Sequence, residues 1–285
     1  MTSQLKTFML LALLSALIIV LGGFLGGKTG IVIAFVLALL MNVGSYWYSD
    51  KIVLRMYNAR ELSESEAPMI HAMVRDLAVQ AGVPMPRICV IPEQAPNAFA
   101  TGRDPAHSVV AVTEGIVRLL SPEELKGVLA HEMAHIANRD ILIQTVAGVM
   151  ASTIVSIANF MQFAAIFGMG RSDEDGEGSN PLMAIMLAIL APVAASLIQF
   201  AISRSREYLA DAIGARFCGQ PLALASALEK LQSWNQRIPM QSGNATTAEM
   251  FIVAPLFGGG MAKLFSTHPD INDRVARLRA MARQF

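Results

Sequence analysis

The chain has 285 residues, of which 54% are hydrophobic and 15% charged, with a mean hydropathy of +0.48; this balance excludes an ordinary soluble enzyme and implies a bilayer. Its 22 basic and 22 acidic residues cancel, which removes any electrostatic case for nucleic acid as a partner. Cys89 and Cys218 stand apart without CxxC spacing and read as reduced, packed thiols of a reducing compartment.

In chain order, residues 7–25 and 30–47 are apolar stretches separated by Gly26-Gly27-Lys28-Thr29. Each is long enough to cross a hydrocarbon core, which takes about 20 residues of helix, and together they predict a transmembrane hairpin. The first lacks an A-x-A cleavage site and is followed at once by the second, which favours retention over a signal peptide. Residues 64–81 read as a helix opened by a Ser63/Glu66 capping box. Short strands are expected at 87–91, 97–100 and 108–113, separated by Gly, Pro and Asp. Residues 141–168 form a third apolar stretch with hydroxyls and amides but no charge, and 182–202 a fourth. Helices at 222–234 and 271–282 complete the chain, and there is no internal repeat.

The expected architecture is mostly α with a small β-sheet. Four transmembrane helices form two hairpins, 1–48 and 141–202, and the blocks 49–140 and 203–285 fold together outside the bilayer. With the N-terminus inside, the inner flanks hold Lys6, Lys51, Arg55, Arg60, Arg139, Arg204 and Arg206 and the outer turns Lys28 and Arg171. That asymmetry favours cytoplasmic termini.

The chemistry lies in Ser121-Pro-Glu-Glu-Leu-Lys-Gly-Val-Leu-Ala-His-Glu-Met-Ala-His135. Ser121 caps the helix, Pro122 suits its first turn and Glu124 completes a capping box. The 3.6-residue repeat then stacks His131 and His135 on one face, at the spacing that puts two imidazoles on one metal. Glu132 lies about 100° round the axis from His131, close enough to act on a water beside the metal without binding the metal itself. HExxH fixes only three residues, but its apolar neighbours fall at helical spacing and the chain holds just five histidines.

A catalytic zinc usually takes three protein ligands and a water. Glu207, in Ser203-Arg-Ser-Arg-Glu-Tyr-Leu-Ala-Asp211, is the best third candidate, and Asp211 one turn on can hold a ligating histidine by its second ring nitrogen. A solvated charged helix start is the competing reading of the same residues. Topology shifts the balance: two crossings separate the histidines from Glu207, so all three return to one membrane face. His268 is a candidate donor to the oxyanion of peptide hydrolysis or, equally, a residue at the start of the last helix. His71 and His107 read as ordinary, and Arg274, Arg277, Arg279 and Arg283 as a solvated face.

Leu129-Ala-His-Glu-Met-Ala-His-Ile-Ala-Asn-Arg-Asp140, Ser205-Arg-Glu-Tyr-Leu-Ala-Asp211, Pro96-Asn-Ala-Phe-Ala-Thr-Gly102 and Ser266-Thr-His-Pro-Asp270 together resemble the signature stretches of HtpX-type membrane metalloproteases, relatives of the prenylated-peptide processing proteases. The resemblance covers nearly the whole chain. It implies one zinc held by His131, His135 and Glu207, Glu132 as general base and acid, a gluzincin-like core and Asp211 behind a ligand. Asn97, Ala98, Phe99 and Ala100 would be an edge strand to which substrate adds in extended form; an ordinary buried strand is the alternative. The implied activity is cytoplasmic-side cleavage of misfolded membrane proteins at the bacterial inner membrane, with polypeptides and the lipid bilayer as partners.

The expected mechanism is metal-assisted hydrolysis with no covalent intermediate. A zinc-containing chaperone or adaptor that does not cut is the rival, and a structural site would have no use for Glu132. A transporter would need charged groups within the spans, which carry only scattered hydroxyls and amides.

Overall fold

The computed structural model describes residues 3–166, 204–235, 237–238, 240–241, 247, 250–254 and 269–284. The fourth apolar stretch, the acidic turn at 171–180 and His268 lie outside them.

Helix α1 (Ser3–Met56) is broken at Gly26 and Gly27, and Gly27 takes φ +56, a left-handed conformation that glycine adopts without a Cβ penalty. The chain folds back there. A Cβ on Gly30 would fall 2.0 Å from the Gly22 carbonyl oxygen, so the two arms close tightly through glycine. Further along, Asn42 Nδ2 donates to Ser15 Oγ at 2.7 Å across the pair. Among the described residues one stretch, Gly26–Met56, is long and apolar enough to cross a membrane; Leu5–Val20 and Ile141–Val155 are shorter apolar helices.

Strand β1 (Arg60–Glu61), not anticipated, precedes helix α2 (Pro68–Ala81). The helix starts four residues later than the capping pattern predicts. Glu66 does reach back to Ser63 N at 3.0 Å, but it closes a separate turn. Pro68 then disfavours helical backbone at Ala67, which sits at φ −142, ψ 64.

Strands β2 (Arg87–Ile91), β3 (Ala98–Gly102) and β4 (Ser108–Thr113) join β1 in one mixed sheet of order β1-β2-β4-β3. The β2–β4 pair is parallel and the other two pairs are antiparallel. Strand β3 is therefore an edge in connectivity, yet all five of its residues are buried. The period-2 alternation of a strand explains this. Ile88, Val90, Ala98, Ala100, Val110 and Val112 face a core shared with α2 and α4, while Cys89, Ile91, Phe99, Val109 and Ala111 face a second core with Val53 of α1, Tyr57 just after it and Phe251.

A short helix α3 (Glu114–Leu119) leads to α4 (Pro122–Ala137), where the predicted capping box is present in full. Helix α5 (Ile141–Ile166) begins four residues after α4 ends and packs Leu142, Val146 and Met150 against Leu10 and Leu14 of α1. Helices α6 (Arg204–Cys218) and α7 (Pro221–Asn235) pack against α4, and α8 (Ile271–Met281) packs against α7 and α6. Glu124 accepts from Ser226 Oγ at 2.6 Å and Lys230 Nζ at 2.7 Å, tying the start of α4 to α7.

Candidate metal centre

The helical repeat of α4 turns His131 and His135 toward α6, which carries Glu207 and Asp211 in its first two turns. The two Nε2 atoms lie 3.1 Å apart. Glu207 meets both, with Oε2 at 3.6 Å from His131 Nε2 and Oε1 at 3.7 Å from His135 Nε2. Ligand atoms from these three buried residues all fall within 4.8 Å of one another.

Each imidazole is gripped from behind. His131 Nδ1 lies 2.9 Å from Asp211 Oδ1, and His135 Nδ1 lies 3.1 Å from Asp140 Oδ1. A carboxylate on Nδ1 leaves Nε2 as the free lone pair, which is the tautomer a metal ligand needs. The part played by Asp140 escapes a reading by helical spacing, because it sits five residues past His135, beyond the end of α4. The chain returns there through Arg139 at φ +55.

Arg274 is the second residue that sequence patterning misplaces. It is 0% exposed, not part of a solvated basic face. Its Nε donates to Asp211 Oδ2 at 2.8 Å, its Nη2 to Asp211 Oδ1 at 2.7 Å and its Nη1 to the Ile252 carbonyl at 2.7 Å. Burial alone would push the Asp211 carboxyl up, but Arg274 outweighs it and holds the group down to about 2. Asp211 therefore stays an anion against His131.

Glu132 is 2% exposed, and burial pushes its carboxyl above the usual carboxylate range. The Ala100 backbone N–H reaches the carboxylate, while Oε1 is buried without a hydrogen-bond partner. An orphaned carboxylate oxygen beside two lone pairs and a second carboxylate fits a bound cation and its water. Burial works against protonating either imidazole, yet Asp211 and Glu207 raise His131, and Asp140 and Glu207 raise His135 to about 10. The cluster thus calls for positive charge.

Asn97 is fully buried, and its Nδ2 donates to the Val253 carbonyl at 2.7 Å. Ala98 O accepts from Ile252 N at 3.0 Å, so the outer rim of β3 is already paired at that point. Phe99 packs against Tyr57 and Phe251 on the face away from α4. Of the four residues expected to receive substrate, Ala100 is the one turned to Glu132.

Helices α4 and α6 meet so closely that a Cβ on Gly214 would lie 2.8 Å from His131 N and 2.9 Å from the Ala130 carbonyl carbon and oxygen. All three are backbone atoms of the histidine helix and cannot swing aside. Gly214→Ala is therefore expected to cost about 1–3 kcal/mol of stability and to lower metal occupancy. Thermal melting with metal analysis checks this, and an unchanged value of both would show that the helices can part freely.

Residues 64–282 match the sequence profile of Peptidase family M48. A protease HtpX homolog of Syntrophobacter fumaroxidans is 56% identical over 282 residues, covering 99% of this chain and 100% of that protein. A protease HtpX homolog of Paraburkholderia phytofirmans is 52% identical over 285 residues, covering 99% and 98%. A solved structure, S. mikatae Ste24p, aligns at 21% identity with a TM-score of 0.49, over 87% of this chain and 57% of that one. The profile match takes in every residue of the site from Asn97 to Arg274, and with identity sustained from end to end the chain belongs to peptidase family M48 as a metalloendopeptidase of the HtpX type.

Proposed function

We propose that this chain is a membrane-embedded zinc endopeptidase. It cleaves misfolded or damaged membrane proteins on the cytoplasmic side of the bacterial inner membrane, in membrane protein quality control. The carrying observation is the convergence of ligand atoms of His131, His135 and Glu207 within 4.8 Å of one another, with Glu132, on the same helix as the two histidines, holding a buried, unpartnered Oε1. Two imidazoles and a carboxylate are a donor set that suits zinc. When bound, zinc polarises the scissile carbonyl and makes water a competent nucleophile near neutral pH.

The chain's own groups do the rest. Glu132 takes the proton of the attacking water and delivers it to the leaving amine, and its raised proton affinity suits both duties. Asp211 and Asp140 hold the ligand rings in orientation, and Arg274 keeps Asp211 charged. Substrate lies extended beside β3 with its scissile bond opposite Ala100, the Asn97–Phe99 portion being the anchor of that strand. His268 serves as a further donor to the oxyanion. Two hairpins, 1–48 and 141–202, frame a catalytic unit built from 49–140 and 203–285, with both termini cytoplasmic.

Elemental analysis of purified Glu207→Ala tests the ligand set. The variant should lose zinc as His131→Ala and His135→Ala do, since each removes one of about three protein ligands. Full zinc retention by Glu207→Ala would remove it from the site. A cysteine introduced at Ser179 should react with an impermeant reagent from outside intact cells; labelling only after lysis would invert the topology.

A further inference from the structure

Away from the metal centre, a cavity of about 250 Å³ opens where the foot of the hairpin meets the catalytic body. Phe8 of α1 and Leu142 of α5 form an apolar wall, and Tyr46, Arg103, Asp104 and Arg139 form a polar rim. Arg103 stacks its guanidinium 4.6 Å over the ring of Trp47. Asp104 is already engaged by His107, whose Nδ1 and backbone N–H lie 2.8 and 2.9 Å from its Oδ1, and it stands 3.6 Å from Arg103 Nε. Arg139 has no acidic partner among the described residues. The rim therefore keeps a net positive charge.

Nothing in the local fold calls for an arginine at position 139. The residue stands at φ +55, in left-handed backbone where glycine or asparagine sits more easily. Its exposed side chain adds nothing to the core. Guanidinium groups pair with phosphate oxygens through two parallel hydrogen bonds. Tyr46 and Trp47 belong to the apolar arm of α1, just before Lys51 and Arg55, the order in which aromatic and basic residues meet a headgroup layer.

We propose that this cavity binds the phosphate headgroup of an anionic phospholipid between Arg103 and Arg139, with an acyl chain along Phe8 and Leu142. The proposal rests on the membrane-spanning reading of the hairpins. Arg103 follows the last residue of β3, and Arg139 precedes Asp140, which holds His135. A bound headgroup thus ties the end of the substrate strand to the turn that closes the metal-site helix. Inorganic phosphate shares the headgroup chemistry but has no chain to cover the apolar wall.

The test uses the full chain in nanodiscs of phosphatidylcholine with graded amounts of dansyl-labelled phosphatidylglycerol, reading energy transfer from Trp47. Wild type should saturate at a mole fraction about thirtyfold below that of R103Q/R139Q, given roughly 1 kcal/mol for each of the two basic residues removed. K51Q/R55Q, which removes two charges outside the cavity, should shift saturation clearly less than R103Q/R139Q does, because neither side chain lines the headgroup site. Equal saturation of wild type and R103Q/R139Q would overturn the site. An equal loss in K51Q/R55Q would reduce it to surface charge and overturn it too. Full displacement by millimolar inorganic phosphate would make the ligand free phosphate, against the proposal. Failure of the protein to stay in purely neutral nanodiscs would instead overturn the membrane-spanning reading, and this site with it.

Discussion

Glu132→Gln is expected to lower peptide hydrolysis by about a hundredfold or more while metal content stays at the wild-type level, since a positioned general base is worth about 10² to 10⁴ in rate. The substitution keeps the side chain's volume in a site that is 2% exposed, so packing between α4 and β3 should survive. What it removes is the basic oxygen. Glu132 Oε1 is buried with nothing to bond to, and burial raises the carboxyl's affinity for a proton. Such a group can accept a proton from water and release it to an amine, whereas an amide can do neither. Cleavage assays on an unfolded protein, run beside elemental analysis, separate the roles. Undiminished cleavage would remove Glu132 from the mechanism, and loss of metal would recast it as a ligand.

Arg274→Met should destabilise the protein by about 3–5 kcal/mol, the usual cost of removing one partner from a buried ion pair. Asp211 would be left 3% exposed beside His131 with its charge uncompensated, and the Ile252 carbonyl would lose its donor. Metal occupancy should fall as well, because Asp211 would tend to take a proton and loosen its hold on Nδ1. Arg274→Lys should recover part of the loss, as it restores the charge without the two-pronged contact. The pH dependence has a definite sign. The Asp211 carboxyl is depressed to about 2, so the pair's contribution is complete above the unfolded carboxyl's value of about 4 and fades as pH falls towards about 2. In Arg274→Met, burial alone acts on Asp211 and acid relieves it. The stability gap between the two proteins should therefore narrow on acidification. Denaturant melts at neutral and acid pH check this, and an equal midpoint at neutral pH would show that Arg274 carries no such load.

Parts of this arrangement are legible in the sequence because they depend on spacing alone. The 3.6-residue repeat puts His131 and His135 on one face, and the Ser121/Glu124 pattern locates the start of their helix; both recur in the structure. The start of α2 misled because the Ser63/Glu66 pattern serves a turn as well as a helix, and Pro68 decides between them. Strand β1 was missed because two residues, both exposed, carry no alternation. The basic face assigned to α8 holds at Arg277, which stacks on Tyr208, and at Arg279, which bonds Glu229, and fails at Arg274.

The sequence by itself determined the features set by local geometry or bulk composition. These are the two histidines one turn apart, the capped helix that bears them, the Gly26-Gly27 reversal and the apolar balance of the chain. Tertiary structure decided which distant groups meet. Arg274 is buried only because Asp211, 63 positions away, supplies the charge that makes burial tolerable. Glu207 enters the metal centre only because Gly214 lets α6 approach the backbone of α4. The five residues of β3 are all buried because cores form on both faces of the sheet, one with α2 and α4 and the other with the foot of α1. No periodicity reports these facts, since side-chain burial depends on what packs opposite, and that partner comes from remote chain.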